Sequence, residues 1–323
     1  MARARLQPGR WRRTAMAFAL LALAPAARAH PGPHEEIARL DVAIAAEPGR
    51  ADLHLERAVQ YRLASRYDEA LADLARAERL APADPNVYLQ RGLTLTEMGR
   101  DADADAALTR YLGDGAGNAV ALAERGRIRA RRGDFEGALA DYSAALALEG
   151  QVELFLLRGG AQEKLKRLAE AAAGYREGLT QFPGDAALQE ALVRVEVERR
   201  NFDAALVVVA DALARSPQRT RWLLRQGDIL ELAGRRDEAT EARLAALAEI
   251  DRVLATRQSA IQLVIRAEVF LALGRLDEAQ ADLDVVLRKA PHYRAAHDLQ
   301  TQLVERRRAQ GVAGDSAATA GSR

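Results

Sequence analysis

The chain has 323 residues, with 47 Lys+Arg against 46 Asp+Glu, a formal net charge of +1 and no cysteine. Without cysteine there can be no disulfide scaffold, cysteine-ligated zinc, iron–sulfur cluster, thiol catalysis or acylated-cysteine anchor. The near-neutral balance gives no ground for a nucleic-acid partner. Hydrophobic residues reach 49% although aromatics are only 5%, so alanine supplies the difference, which favours closely packed helices over strands.

The first segment reads as an address. Arg3, Arg5, Arg10, Arg12 and Arg13 precede the apolar run Ala15 to Ala24, then Pro25 and the small-residue site Ala27-Arg28-Ala29. A cationic start, a short apolar stretch and an A-x-A site predict a secretory signal peptide over 1–29, cleaved after Ala29. The run is short of the roughly 20 residues a membrane span takes, and no later segment is apolar for long enough to cross a membrane. The positions after Arg12-Arg13 are Ala15 and Met16, a poor match to a twin-arginine signal. Cleavage removes six arginines and no acid, which takes the net charge from +1 to −5. Lys164, Lys166 and Lys289 are the only lysines among many arginines. That bias points to a high-GC bacterium and hence to a periplasmic or otherwise exported protein.

Cleavage there would make His30 the mature N-terminus. A terminal amine with that imidazole, and His34 four residues on, suits copper, so copper binding or delivery is one alternative function. Pro31 and Pro33 offer no amide N–H and no third ligand is identifiable; no metal or cofactor is therefore expected. Within 30–50, Glu35 to Glu47, with Leu40, Ala43 and Pro48 in the register of the repeats that follow, reads as a helix that caps the N-terminal end of the array.

From residue 51 the chain repeats. Pro48 and Pro82 are 34 apart, as are Pro183 and Pro217. Gly92, Gly126 and Gly159 each follow an arginine, and Gly227 keeps the register. Gly99, Gly133, Gly234 and Gly274 lie seven residues further on in their units. Tyr67-Asp68-Glu69-Ala70 recurs as Phe135-Glu136-Gly137-Ala138, Leu168-Ala169-Glu170-Ala171, Phe202-Asp203-Ala204-Ala205 and Leu276-Asp277-Glu278-Ala279.

On these residues the chain resembles the tetratricopeptide-repeat (TPR) family, whose unit is a helix–turn–helix of 34 residues. The family pattern has small residues at positions 8, 20 and 27, a large one at 24 and proline at 32. Seven units align: 51–84, 85–118, 119–151, 152–185, 186–219, 220–259 and 260–293. Position 20 is Ala70, Ala104, Ala138, Ala171, Ala205, Ala239 and Ala279, alanine throughout. The resemblance covers about three quarters of the chain and implies an all-α fold, an α-solenoid wound as a right-handed superhelix. A small residue where helices cross lets their axes approach, and larger neighbours such as Leu74, Tyr142 and Tyr175 fill the flanking grooves. The turn glycines suit positive φ, and proline at 32 stops the second helix. Stacked units bury their apolar faces together.

Several units depart from the pattern. Position 7 is Arg57, Arg91, Arg125, Arg158 and Arg266; their stems are expected to cover apolar surface while the guanidinium reaches water. Unit 2 ends in Gly113-Asp114-Gly115-Ala116-Gly117-Asn118, a loop expected to kink the stack. Unit 5 has Val193 at position 8. Unit 6 carries six extra residues, which should lengthen its second helix through Leu254. Beyond the array, 294–309 is amphipathic through Ala296, Leu299 and Leu303 and reads as a C-terminal capping helix. The Gly/Ala/Ser-rich stretch 310–323 is expected to be disordered.

Motifs of chemistry are missing from the sequence. There is no nucleophile elbow, no H-E-x-x-H and no P-loop lysine. Asp101, Asp103 and Asp105 begin like a calcium loop, but Ala106 and Leu112 stand where glycine and glutamate are needed. The expectation is a non-enzyme. In TPR arrays the first helix of each unit lines a concave groove, and ligand contacts often come from positions 2, 5, 9, 12 and 13. Carried over, that resemblance implies groove candidates Leu55, Leu89, Arg127, Arg131, Lys164, Arg194, Arg221 and Leu224. The groove is then apolar at both ends, with arginines in the middle that suit carboxylates or phosphates. The lysine–asparagine carboxylate clamp of some relatives is not reproduced. The expected function is an exported scaffold or adaptor that binds a protein or peptide; an accessory subunit of an envelope enzyme is a further alternative.

Overall fold

The computed structural model describes residues 32–113 and 117–320. The expected signal segment 1–29, His30 and the middle of the Gly113–Asn118 loop, residues 114–116, lie outside the described residues. Sixteen helices and no strands make up the described chain. A single helix, α1 (Pro33–Ala46), comes first. Seven pairs follow: α2 (Ala51–Leu63) with α3 (Tyr67–Leu80), α4 (Pro85–Glu97) with α5 (Asp101–Gly113), α6 (Ala119–Arg131) with α7 (Phe135–Leu148), and α8 (Val152–Lys164) with α9 (Leu168–Gln181). Then come α10 (Ala186–Glu198) with α11 (Phe202–Arg215), α12 (Arg219–Leu232) with α13 (Arg236–Thr256), and α14 (Ala260–Ala272) with α15 (Leu276–Lys289). The last helix, α16, runs Arg294–Ala320.

Each pair is closed by a turn in left-handed backbone. Gly99, Gly133, Gly234 and Gly274 have φ of 73°, 85°, 78° and 73°. In the first, fourth and fifth pairs the same conformation is held by Ser65, Lys166 and Arg200, at φ of 58°, 59° and 57°. Those three carry a Cβ where glycine would carry none. Side-chain caps from Asp84, Asn118, Asp134, Asp185 and Ser259 satisfy free N–H groups at five helix starts.

The core is a chain of side-chain layers. All seven position-20 alanines are fully buried. Positions 8 and 24 face each other and trade volume. A Cβ added at Gly92 would lie 2.6 Å from Leu108, and one at Gly126 2.5 Å from the Tyr142 ring. Gly159 faces the Tyr175 ring and Gly227 the stem of Arg243 in the same way. In the fifth pair the small residue moves across: Val193 is matched by Val209, and both are fully buried. The valine that departs from the pattern is thus compensated on the opposite helix.

The six-residue insertion is absorbed in α13, which has 21 residues against 14 in α11 and in α15. Ile250 and Leu254 on the extension join the C-terminal core cluster with Leu263 and Val264. The expected boundary of the last helix is overrun: α16 continues past 309 to Ala320, into the stretch expected to be disordered. That stretch is rich in alanine and has no proline to stop a helix.

The contacts that skip one helix all join first helices: α2 to α4, α4 to α6, α6 to α8, α8 to α10 and α12 to α14, with α16 taking the next first-helix place against α14. First helices therefore crowd on the inner side of the curve. Among the described residues no helix is long and apolar enough to cross a membrane.

Candidate functional site

The inner face is built by one side of each first helix. Seven alanines at position 20 draw the second helices close behind it, which brings some of their side chains through to the front. This happens wherever position 8 is glycine and position 24 is long. Tyr175 crosses Gly159, and its hydroxyl donates to Glu163 at 2.6 Å. Arg194 from the next first helix donates to the same carboxylate at 2.7 and 3.3 Å. Arg243 crosses Gly227 and reaches Glu231 at 3.1 Å and Asp228 at 3.5 Å. Tyr142 crosses Gly126 and is charge-coupled to Arg127, Glu124 and Arg131, yet its hydroxyl has no hydrogen-bond partner among the described residues. Burial pushes Tyr142 up to about 12. Tyr175 is raised too, first by burial and then by its bond to Glu163.

The eight candidate residues fall into four groups. Arg127, Arg131 and Arg194 are ion-paired across unit boundaries. Arg127 donates to Glu124 at 2.5 Å and to Glu153 of α8 at 2.8 Å. Arg131 makes a two-pronged contact with Asp101 of α5 at 3.0 and 2.5 Å, and Arg194 holds Glu163. Lys164 and Arg221 are exposed and form no ion pair among the described residues. Leu55 and Leu89 are half-buried against the clusters around Leu74 and Leu108. Leu224 is buried with Ile250 and Val264, so it is core and not groove surface. Neighbouring first helices cover it from the side. Val264 and Leu271 of the seventh pair are also buried, and Ile261 is the exposed apolar residue there.

Two clefts flank Arg221. One, of about 520 Å³, opens between α10 and α12, with Glu190, Arg215 and Trp222 in its lining. The other, of about 300 Å³, is lined by Ile250, Val253, Ile261, Gln262 and Ile265. Glu268 lies nearby; desolvation raises its pKa, Arg221 opposes that shift and Asp228 adds to it.

The position-7 arginines do not behave as the sequence leads one to expect. They do not simply extend a head to water. Arg57, Arg125 and Arg266 each clamp a buried aspartate sixteen residues on, at position 23 of the paired helix. The distances are 2.7 and 2.8 Å to Asp73, 3.0 and 2.6 Å to Asp141, and 2.8 and 2.7 Å to Asp282. Their third branch reaches back to the preceding second helix, to Asp41, Thr109 and Asp251. Each such arginine staples three helices. Where position 23 is Ala107 or Gly174, Arg91 turns to Glu78 and Arg158 to Glu177. The sixteen-residue spacing, repeated three times, was the sequence signal for these pairs.

His54 is a core histidine. Its Nδ1 lies 3.2 Å from Asp73 and its Nε2 3.4 Å from the Pro48 carbonyl. His34 is exposed on the first turn of α1. No group of three metal-ligating side chains occurs among the described residues. Asp101 and Asp105 instead take arginines from α6, namely Arg131 and Arg129, and Asp103 pairs with Arg100.

Comparison with known proteins agrees with this architecture. The tetratricopeptide repeat family matches residues 123–186 and 190–252. Human tetratricopeptide repeat protein 28 is 36% identical over 79 residues, which is 24% of this chain and 3% of that protein. Two solved arrays share the fold. YrrB, described as a TPR protein with an unusual peptide-binding site, gives a TM-score of 0.50 at 19% identity, covering 57% of this chain and 95% of its own. The C-terminal part of a TPR repeat-containing protein from Cytophaga hutchinsonii gives 0.51 at 15% identity, covering 83% and 94%.

Proposed function

We propose that this tetratricopeptide-repeat protein, an array of about seven helix pairs, is a non-catalytic scaffold that holds a protein or peptide segment along its inner face. The observation that carries the reading is the pattern of charge there. Lys164 and Arg221 are exposed on first helices and form no ion pair among the described residues, and Arg221 stands between two clefts. An exposed cation beside apolar lining, on a concave surface longer than any one pair, suits an extended segment with acidic and aliphatic side chains. Peptide binding by one of the two solved arrays of like fold is consistent with this use of the face.

The site of action we propose is the cell envelope of a bacterium. Support for it is the N-terminal sequence: cationic start, short apolar run and Ala27-Arg28-Ala29. Edman sequencing of the protein recovered from a periplasmic extract tests that step; a chain beginning at Met1 would refute it.

Binding is tested by cross-linking and affinity recovery from the envelope fraction. Lys164→Glu combined with Arg221→Glu is the informative variant, because neither reversal breaks an internal ion pair. A partner recovered with the wild-type chain should be lost with the double variant. Undiminished recovery would remove these two residues from the site. Arg127→Glu with Arg194→Glu is a harsher test, since both also release glutamates.

A further inference from the structure

The repeats provide an internal standard for what the groove holds. In the fourth pair three parts meet at one point: the Tyr175 hydroxyl from behind, the Glu163 carboxylate at position 12, and Arg194 at position 9 of the next first helix. A buried phenol, a carboxylate and a guanidinium satisfy one another there.

One pair earlier the same frame is present and its centre is missing. Tyr142 is the equivalent of Tyr175, 1% exposed, with its ring laid across Gly126. Its hydroxyl donates to nothing among the described residues. Position 12 is Ala130, packed against Tyr142 in place of a glutamate. Position 9 of the next first helix is Gly160 in place of arginine, and a Cβ there would meet no atom within 4 Å. Glu163 of the fourth pair and Arg194 of the fifth are therefore replaced by the two smallest residues, and the Tyr142 hydroxyl is left without a protein acceptor among the described residues.

Charges of both signs border that space: Arg127 is paired with Glu124 and Glu153, and Arg131 with Asp101. Arg127 and Arg131 lie on the same first helix and are charge-coupled to Tyr142. Glu124 faces it as well, but Arg127 holds its carboxylate at 2.5 Å. Lys164, which has no ion pair among the described residues, is one turn along α8 from Gly160 and so shares its face. The Tyr142 hydroxyl keeps contact with solvent, so an incoming acceptor can reach it, and the group that completes the equivalent hydroxyl one pair on is a carboxylate.

We propose that the inner face at the third and fourth pairs is a receptor for one carboxylate side chain, a glutamate or aspartate of the bound segment, which accepts from the Tyr142 hydroxyl between Arg127 and Arg131 with Lys164 at its mouth. The inference rests on the groove reading above and specifies one residue of the ligand. The carboxylate occupies the place that Ala130 and Gly160 leave empty and repeats the Tyr175–Glu163 contact with a group supplied from outside.

The test is a displayed library of random dodecapeptides, panned against the full chain and against Ala130→Glu. Wild-type protein should enrich peptides that share one acidic position. A synthetic peptide from that set should weaken at least about tenfold when its acid becomes glutamine, and by a similar factor against Tyr142→Phe, which removes only the hydroxyl. Ala130→Glu supplies an internal carboxylate in the geometry of the fourth pair. It should keep the wild-type circular dichroism spectrum, unfold at the same or higher urea, and select peptides without the acid. Acid preference retained by Ala130→Glu, or loss of its fold, overturns the proposal. Peptides enriched by wild type with no acidic position overturn it and leave the groove reading standing; no enrichment at all overturns both.

Discussion

Replacing Asp141 by alanine removes the acceptor that holds three helices together in the third pair. Asp141 is buried, its side chain 3% exposed, and it takes Arg125 Nε at 3.0 Å, Arg125 Nη2 at 2.6 Å and Arg129 Nη1 at 3.1 Å. Removing one member of a buried ion pair strands the other, at about 3–5 kcal/mol. Arg125 keeps 14% exposure and a contact to Thr109 at 3.3 Å, and Arg129 keeps Asp105 at 3.1 Å. Both remainders soften the loss, so about 3 kcal/mol is expected. The chain itself supplies the control. In the fifth pair positions 7 and 23 are Leu192 and Val208, an apolar pair in the same place. Arg125→Leu with Asp141→Val copies it. That double variant should lie between neutral and about 4 kcal/mol stabilising, giving a large coupling in the double-mutant cycle. Urea unfolding followed by circular dichroism measures each corner, and hydrogen exchange in α6 and α7 shows whether the loss is local, as a linear array allows. A single-variant cost under about 1 kcal/mol would refute the reasoning. So would a double variant no more stable than the single.

Three further outcomes follow from other parts of the structure. Lys166→Gly and Arg200→Gly relieve a Cβ in left-handed backbone, at φ of 59° and 57°; each should stabilise by about 1 kcal/mol, while the same change outside the turns should not. Gly159→Val drives a branched side chain into the Tyr175 ring and should cost about 1–3 kcal/mol; adding Tyr175→Val, which copies Val193 with Val209, should recover most of that loss in the same unfolding assay. Tyr142 stands above its ordinary value of 10.0, at about 12. Its neutral form is favoured by folding, so that stability is full below pH 10 and is lost as pH rises towards 12. The contribution is about 2–3 kcal/mol. Tyr142→Phe should flatten stability against pH over that window; an unchanged slope would assign it elsewhere.

How much the sequence revealed depended on whether a position answers to geometry or to a neighbour. The crossing alanines, from Ala70 to Ala279, are set by helix packing alone, and so were legible as a period. The turn glycines were legible for the same reason, although Ser65, Lys166 and Arg200 hide three of the seven turns behind side chains that tolerate strain. The added residues of the sixth pair could only lengthen a helix, because α13 has no glycine or proline within it to break it. Side-chain direction was another matter. Arg125 reads as a surface residue until Asp141 is placed behind it, sixteen positions away on another helix. Leu224 sits at a ligand-contacting position of the unit, yet its neighbours are Ile250 and Val264. The tail reads as disordered on its Gly/Ala/Ser content, while its alanines and lack of proline are compatible with α16 running on to Ala320.

These two kinds of position give the groove its meaning. Where repeats obey a rule, substitutions come in compensating pairs: glycine with tyrosine, valine with valine, arginine with aspartate. Such pairs keep the layers filled and hold Asp73, Asp141 and Asp282 in two-pronged contacts, which is the demand of folding. A departure that is not compensated lies outside that demand. Ala107 and Gly174 remove an aspartate, and their arginines find Glu78 and Glu177 instead, although the buried Nε of Arg158 is left without a partner. Ala130 and Gly160 remove a carboxylate and a guanidinium together, and nothing within the described residues takes their place before Tyr142. The hydroxyl keeps contact with solvent, so folding neither requires nor forbids it, and a phenylalanine ring would fill the glycine window as well. What the hydroxyl adds is a donor without a protein acceptor among the described residues, and that donor is what the proposed carboxylate would take.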